Sequence, residues 1–227
     1  MNGFFSTESR YYKIASELAY LVMLGALWLV FTLPLITIGV STTAAYYVAT
    51  KRKAGRDDYL FSGFLKSYRE NFLPALSITI IWAVFGFLIY LNISILMDGI
   101  SGILSTVLSV GLLIITIQWT FITIFVFPIL ARFQVTALQA IKSAFFMSNR
   151  HFKTTLACVI IFIIVVSVGI LLGPFLPFAM GAYVYLTAGM FVKVFRLHHP
   201  AFDQDSSDAA LKEAAERKEL EEVKYLS

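Results

Sequence analysis

Long uncharged apolar runs, separated by two mixed stretches, dominate the pattern of hydrophobic and polar positions along the chain. No Asp, Glu, Lys or Arg occurs in residues 18–50, 72–97, 99–131 or 154–192. A helix needs about 20 such residues to cross roughly 30 Å of hydrocarbon. The last run is long enough for two helices and is split at Gly173 and Pro174. We therefore predict an all-α membrane protein with about five transmembrane helices, at residues 14–38, 73–97, 105–131, 154–172 and 175–195.

The first mixed stretch, residues 41–72, has the start and stop signals of a short helix. Ser41 is a residue type that accepts hydrogen bonds from the free N–H groups of a first turn, and Gly55 suits the left-handed position after a last turn. Lys51, Arg52 and Lys53 between them face the negative end of the helix dipole. These signals predict a helix over residues 42–54.

A second helix in the same stretch is predicted to be amphipathic. Its apolar stripe is Phe61, Phe64, Leu65, Tyr68 and Phe72, with helical spacing, opposite polar positions. The second mixed stretch, residues 132–153, has the same character. We predict that both stretches are cytoplasmic and dock on the inner leaflet or on a partner through Lys51, Arg52, Lys53, Arg56, Phe64, Lys66, Tyr68, Arg69, Lys142, Phe145 and Arg150. The order of loop, two spans, loop, two spans also suggests an internal duplication.

Composition excludes an ordinary soluble domain and changes the meaning of the basic charge. The chain has 59% hydrophobic residues, 14% charged residues and a mean hydropathy of +0.79, so in water it would expose large apolar patches. The 18 Lys and Arg against 14 Asp and Glu lie mainly in the mixed stretches, which indicates membrane orientation and no nucleic-acid partner. Five spans with cytoplasmic loops place the N-terminus outside. If residues 36–50 crossed as well, it would be inside.

After residue 197 the composition changes to a charged, helix-favouring sequence. Residues 198–227 contain eight acidic and four basic residues and are predicted to be an acidic cytoplasmic tail. Residues 1–197 are predicted to form the transmembrane domain.

Few residues are candidates for chemistry. Glu17 and Gln118 are polar positions within predicted spans, and each suits either a functional intramembrane site or, more simply, interface contact and helix packing. Adjacent histidines His198 and His199 have no further ligand at metal-binding spacing. No nucleophile with a base and no phosphate-binding loop is present. We expect no enzyme activity, no cofactor and no metal site.

The segment from Leu27 to Phe72 resembles the signature of the YesL-like family of bacterial membrane proteins, a domain of unknown function numbered 624. The signature P-x-x-T-I-G-x-S-T-x-A is present here, with its turn expected at Pro34, Gly39, Ser41 and Thr42. Family members tend to be encoded beside carbohydrate ABC importers and polysaccharide-degrading enzymes. The resemblance therefore implies a non-catalytic accessory or assembly subunit of a carbohydrate ABC importer in the bacterial plasma membrane, whose partners are the lipid bilayer and the importer's permease subunits.

Two alternatives use the same residues differently. The protein is a stand-alone small-solute permease if Glu17 or Gln118 contributes to a transport site. It is a membrane scaffold or sensor if the cytoplasmic loops and tail bind soluble partners.

Overall fold

The computed structural model describes residues 10–55, 59–97, 102–133, 135–171, 173 and 176–198, and every regular element in these ranges is helical. Five of the helices are long and apolar enough to cross a membrane, which confirms the predicted all-α membrane class. Within the described ranges, the α-helices are α1 (Arg10–Thr32), α2 (Ile38–Lys53), α3 (Leu60–Glu70), α4 (Phe72–Met97), α5 (Ile103–Arg132), α6 (Ala137–Arg150), α7 (Phe152–Leu171) and α8 (Leu176–His198).

The first helix ends six residues before the predicted end at residue 38. Pro34 takes an extended conformation, with φ −74° and ψ 100°, and the chain then makes one 3-10 turn, Leu35–Thr37. The residue before a proline is pushed out of the helical region, so α1 stops at Thr32. The Thr37 hydroxyl donates to the carbonyl oxygens of Phe31 and Pro34, both at 2.7 Å. The turn therefore binds carbonyls that α1 leaves free at its end.

The second helix begins at Ile38, so the prediction that Ser41 caps a helix starting at residue 42 is wrong. Ser41 lies inside the helix with a fully buried side chain. The predicted end is confirmed, because α2 stops at Lys53 and Gly55 follows with φ +82°. Among the four signature positions, Pro34 belongs to the turn, whereas Gly39, Ser41 and Thr42 lie in α2.

Helices α1 and α2 form an antiparallel hairpin. A guanidinium nitrogen of Arg52, near the end of α2, lies 3.2 Å from Oε1 of Glu17, near the start of α1. At the other end, Trp28 Nε1 donates to Thr42 Oγ1 at 3.0 Å. The basic end of α2 is therefore beside the beginning of α1.

Helix α8 also runs antiparallel to α1, and the two backbones touch. A Cβ placed on Gly181 would lie 2.7 Å from the backbone nitrogen of Gly25. Four residues later, the rings of Tyr20 and Tyr185 have centroids 5.6 Å apart. Such close approach requires the absence of side chains on both helices. Helix α8 also packs against α2 and α7, and 56% of its apolar window is buried, compared with 17% for α1, α4 and α7.

The order of elements repeats about 80 residues along the chain. Helix α3 passes into α4 through a single residue, Asn71, and α6 passes into α7 through His151. Helix α3 packs against α2, and α6 packs against α5. Pairs of residues 80 apart are completely buried in both copies: Phe64 and Ala144, Ala75 and Thr155, and Ile78 and Cys158. The offset of 80 residues aligns α2, α3 and α4 with α5, α6 and α7 without an insertion, so the repeated unit includes α2 and α5.

Candidate functional site

The basic end of α2 forms a charged cluster with α1 and α8. Arg52 pairs with Glu17, and its guanidinium carbon also lies 4.3 Å from the centre of the Tyr20 ring. The Tyr185 hydroxyl donates to the second carboxylate oxygen of Glu17. The side chain of Arg52 is 26% exposed and that of Glu17 45% exposed. Glu17 and Arg52, which the sequence assigned to different sites, thus belong to one cluster that joins three helices.

The two lysines beside Arg52 lie over tyrosine rings. Lys53 Nζ is 3.4 Å from the centre of the Tyr185 ring, and Lys51 Nζ is 4.6 Å from that of Tyr47. Desolvation lowers the pKa of Lys53, whereas the negative charge of Glu17 acts in the opposite direction. Cation–π contacts and the ion pair hold this end of α2 in place, and the docking role of Arg52 stays a prediction. Arg56 lies outside the described residues.

Helix α3 turns its central aromatic residue inward. Phe64 is fully buried, which contradicts its assignment to a docking surface. Its ring lies 5.3 Å from that of Phe31, and the Tyr68 ring is 5.1 Å from the same partner. Tyr68 is half-buried, while Lys66 and Arg69 are exposed. The buried face of α3 is Gly63, Phe64 and Ser67, so it holds α3 against the bundle.

Helix α6 presents the opposite arrangement, with its aromatic side chains outward. Small residues spaced four apart, Ala140, Ala144 and Ser148, form its buried face. Phe145 remains 43% exposed and Phe146 70% exposed. Lys142 and Arg150 are also exposed. Helix α6 therefore offers apolar and basic side chains together, as α3 does with Phe61, Lys66 and Arg69.

Gly39 of the family signature is a close-contact position. A Cβ at this residue would lie 2.2 Å from Thr79 Oγ1, 2.8 Å from Phe127 Cε1 and 3.1 Å from the carbonyl oxygen of Ala75. Only glycine lets α2 approach α4 and α5 this closely. This packing explains a signature glycine that sequence reasoning placed in a turn.

A cavity of about 360 Å³ lies beside Gly39, between α2, α4, α5, α7 and α8. No charged residue lines it. Its walls are aromatic and aliphatic, with hydroxyl groups at a few points: Ile38, Gly39, Thr42, Tyr46, Thr79, Trp82, Thr120, Thr123, Ile124, Phe127, Val159, Phe162, Met180 and Tyr183. The cavity therefore suits an uncharged, largely apolar molecule.

The threonine hydroxyl groups of this cavity offer acceptors rather than donors. The side chains of Thr79, Thr120 and Thr123 each donate to the carbonyl four residues earlier, at 2.8–2.9 Å. Tyr46 and Thr187 share a hydrogen bond of 3.0 Å. Sequence reasoning did not single out Tyr46 and Tyr183 as cavity residues. Their long separation along the chain left no local pattern to detect.

Gln118 is half-buried in α5 and does not line the cavity. Its amide nitrogen is buried without a hydrogen-bond partner in the structure. Gln118 and Glu17, which the sequence grouped as one intramembrane polar site, are not brought together. Within the described ranges, no three His, Cys, Asp or Glu side chains are arranged to hold a metal ion.

The fold defines the class of this chain: it is a helical, multi-pass membrane protein. Residues 21–93 match the model of the family described as "Protein of unknown function, DUF624", which confirms the family resemblance over that segment. The segment contains the second half of α1, the whole of α2 and α3, and most of α4. No curated protein and no solved structure matches the chain.

Proposed function

We propose that the protein is a non-catalytic accessory or assembly subunit of a carbohydrate ABC importer in the bacterial plasma membrane. The importer and its substrate class come from the family resemblance. The support from the structure is an exposed helical hairpin that has the features of an intramembrane binding surface.

The observation that carries the proposal is the exposure of the C-terminal half of α4 and the N-terminal half of α5. Residues 90–93 of α4 and residues 106–110 of α5 are all exposed. Successive residues of a helix point 100° apart, so these runs cover the whole circumference of each helix. A transmembrane segment with no buried face contacts either lipid or another protein.

Polar side chains on these exposed segments favour another protein over lipid. Asn92, Thr106 and Ser109 are exposed there, and each donates to a carbonyl four residues before it. Their oxygen atoms remain able to accept hydrogen bonds. Such residues in transmembrane helices bind the small and polar faces of neighbouring helices. We therefore assign the contact with the permease subunits to this hairpin.

Site-specific photo-crosslinking in the native membrane tests this assignment. A photoreactive residue replaces Val107 or Val110 in the proposed surface, or Ile160 in α7 as the matched control; all three side chains are exposed. Positions 107 and 110 should form adducts with a permease subunit, whereas position 160 should react with lipid. Lipid adducts alone at all three positions, in cells that express the importer, would refute the assignment.

The orientation belongs to the same proposal. Arg52 and its neighbouring lysines lie beside the start of α1, and α8 runs toward this same end of the bundle. The positive-inside rule then places the start of α1, the end of α2 and the end of α8 in the cytoplasm. This differs from the expectation of an external N-terminus.

The cavity favours a second candidate, a permease for a small uncharged solute. The chain reconstituted alone in sealed vesicles should then transport the solute. Val159→Phe puts a larger side chain into the cavity and should block this transport. The control Ile160→Phe adds the same ring on an exposed site outside the cavity lining. If Glu17→Gln abolished uptake while Val159→Phe did not, the charged cluster would be the transport site.

A further inference from the structure

The turn between α1 and α2 has an exposed surface that is entirely apolar. Leu33 is 73% exposed and Leu35 81% exposed, and Ile36 and Ile38 are exposed as well. The polar residue of the turn, Thr37, is buried and uses its hydroxyl on main-chain carbonyls. Exposed loops in water normally carry polar side chains. This turn therefore has the surface of a segment that hydrocarbon surrounds.

Charged residues occur only at the other end of the hairpin. No charge lies between Glu17 and Lys51 in the sequence, and the Glu17–Arg52 ion pair brings those two ends together. The hydroxyl groups of Thr32, Ser41 and Thr43 are buried. The hairpin thus has one charged end and one apolar end, with no polar anchor at the apolar end.

Measured from the Glu17–Arg52 ion pair, and not from Ile14 where the apolar window of α1 begins, the hairpin is short for a full crossing. From Glu17 to Thr32, α1 rises about 23 Å, and the 16 residues of α2 rise about 24 Å, at 1.5 Å per residue. The hydrocarbon layer is roughly 30 Å thick. With the charged end at one surface, the turn remains inside the bilayer.

The direction of α8 agrees with this placement. If each of the five apolar helices crossed once, the first and the fifth would run in the same direction. They run antiparallel, as the Gly25–Gly181 and Tyr20–Tyr185 contacts show. An even number of crossings is required, which holds if α4, α5, α7 and α8 cross and α1 does not.

We infer that α1 and α2 form a re-entrant hairpin whose tip, residues 33–38, contacts the hydrocarbon core of the bilayer. The hydrogen bonds of the turn favour this environment: the Pro34 carbonyl accepts from the Thr37 amide and hydroxyl, and the Phe31 carbonyl accepts from the same hydroxyl. Ile38 also lines the cavity, so one wall of that cavity lies at hydrocarbon depth. A hairpin that crosses twice would instead place Leu35 at the opposite membrane surface.

Spin-label depth measurements distinguish these arrangements. Cys158 is the sole cysteine, so Cys158→Ser supplies a background in which Leu35→Cys or Ile36→Cys takes a single nitroxide. Lys142→Cys and Arg69→Cys, at exposed positions of α6 and α3, are the matched controls. The full chain is reconstituted in phosphatidylcholine–phosphatidylglycerol vesicles, and collision rates with oxygen and with a water-soluble nickel complex are measured.

The labels at residues 35 and 36 should collide often with oxygen and rarely with nickel. Their oxygen-to-nickel ratio should exceed that at residue 142 by several-fold, at a depth beyond the bilayer centre but short of the opposite headgroups. A ratio at residue 35 equal to that at residue 142, or a depth at the opposite headgroups, would overturn the inference. Ile36→Cys provides a second position if Leu35→Cys is not recovered as a monodisperse protein.

Discussion

Replacing Gly39 by alanine tests whether close packing at the family signature holds the bundle together. The new Cβ would lie 2.2 Å from Thr79 Oγ1 and 2.8 Å from Phe127 Cε1, and the Ala75 carbonyl at 3.1 Å cannot move without shifting α4. Over-packing of this kind costs typically 1–3 kcal/mol, and the better helix propensity of alanine offsets up to about 1 kcal/mol. We expect a net loss of about 1–2 kcal/mol in the free energy of unfolding.

Cys158 provides the assay. It is the sole cysteine and is fully buried, so a fluorogenic maleimide should react with it only as the detergent-solubilised protein unfolds on heating. For a chain of this size, 1 kcal/mol corresponds to roughly 2–4 °C in the midpoint, so Gly39→Ala should lower the midpoint by roughly 2–8 °C.

Two further variants make the result specific. Gly111→Ala, in α5, places its Cβ in open space and should leave the midpoint unchanged or raise it. Thr79→Ala removes the nearest clashing atom, so the double variant with Gly39→Ala should regain part of the loss. If Gly39→Ala were as stable as Gly111→Ala, the packing explanation of this glycine would be wrong.

Three other substitutions test single contacts. Gly181→Ala should lower the same midpoint more than Gly39→Ala, because its nearest contacts are backbone atoms of Gly25. Gly189→Ala is the control, since its Cβ would meet its nearest atom at 3.9 Å. Equal midpoints for Gly181→Ala and Gly189→Ala would contradict the α1–α8 contact. Trp28→Phe removes the 3.0 Å hydrogen bond to Thr42 and should cost about 1 kcal/mol in unfolding free energy, measured by the same thiol assay; no loss would show that the bond is replaced by another. Thr136→Ala removes the Thr136 hydroxyl from the capping box at the start of α6. Amide hydrogen exchange over residues 137–140 should then be several-fold faster, consistent with a loss of about 1 kcal/mol in helix stability, and Thr136→Ser should keep the protection. Unchanged exchange in Thr136→Ala would refute the role of the cap.

The class of the fold could be predicted from the sequence because it depends on local composition and chain stops. Uncharged runs identify the apolar helices, and Gly55 takes the left-handed position after α2. These features act within a few residues of themselves. The predicted cap at Ser41 was wrong because tertiary packing at Gly39 extends α2 by a turn into the bundle.

The candidate site was less predictable because it depends on contacts between distant residues. A stripe with the spacing of Phe64 and Tyr68 looks the same whether it faces lipid or the bundle, and only the position of Phe31 decides. Arg52 reads as a free surface cation until Glu17, 35 residues earlier, is placed beside it. In α6 the buried face is made of alanine and serine, which hydrophobic periodicity does not single out.

The single-residue junctions at Asn71 and His151 have a mechanical consequence. At each junction the backbone N–H of the junction residue donates to a carbonyl of the preceding helix. The carbonyl of the same residue accepts from an N–H of the following helix, and the distances are 2.9–3.0 Å. Because hydrogen bonds connect the two helices through each junction, we expect a displacement of α3 or α6 to tilt α4 or α7 with it. The short helices α3 and α6 are thereby coupled to the long helices α4 and α7 that follow them.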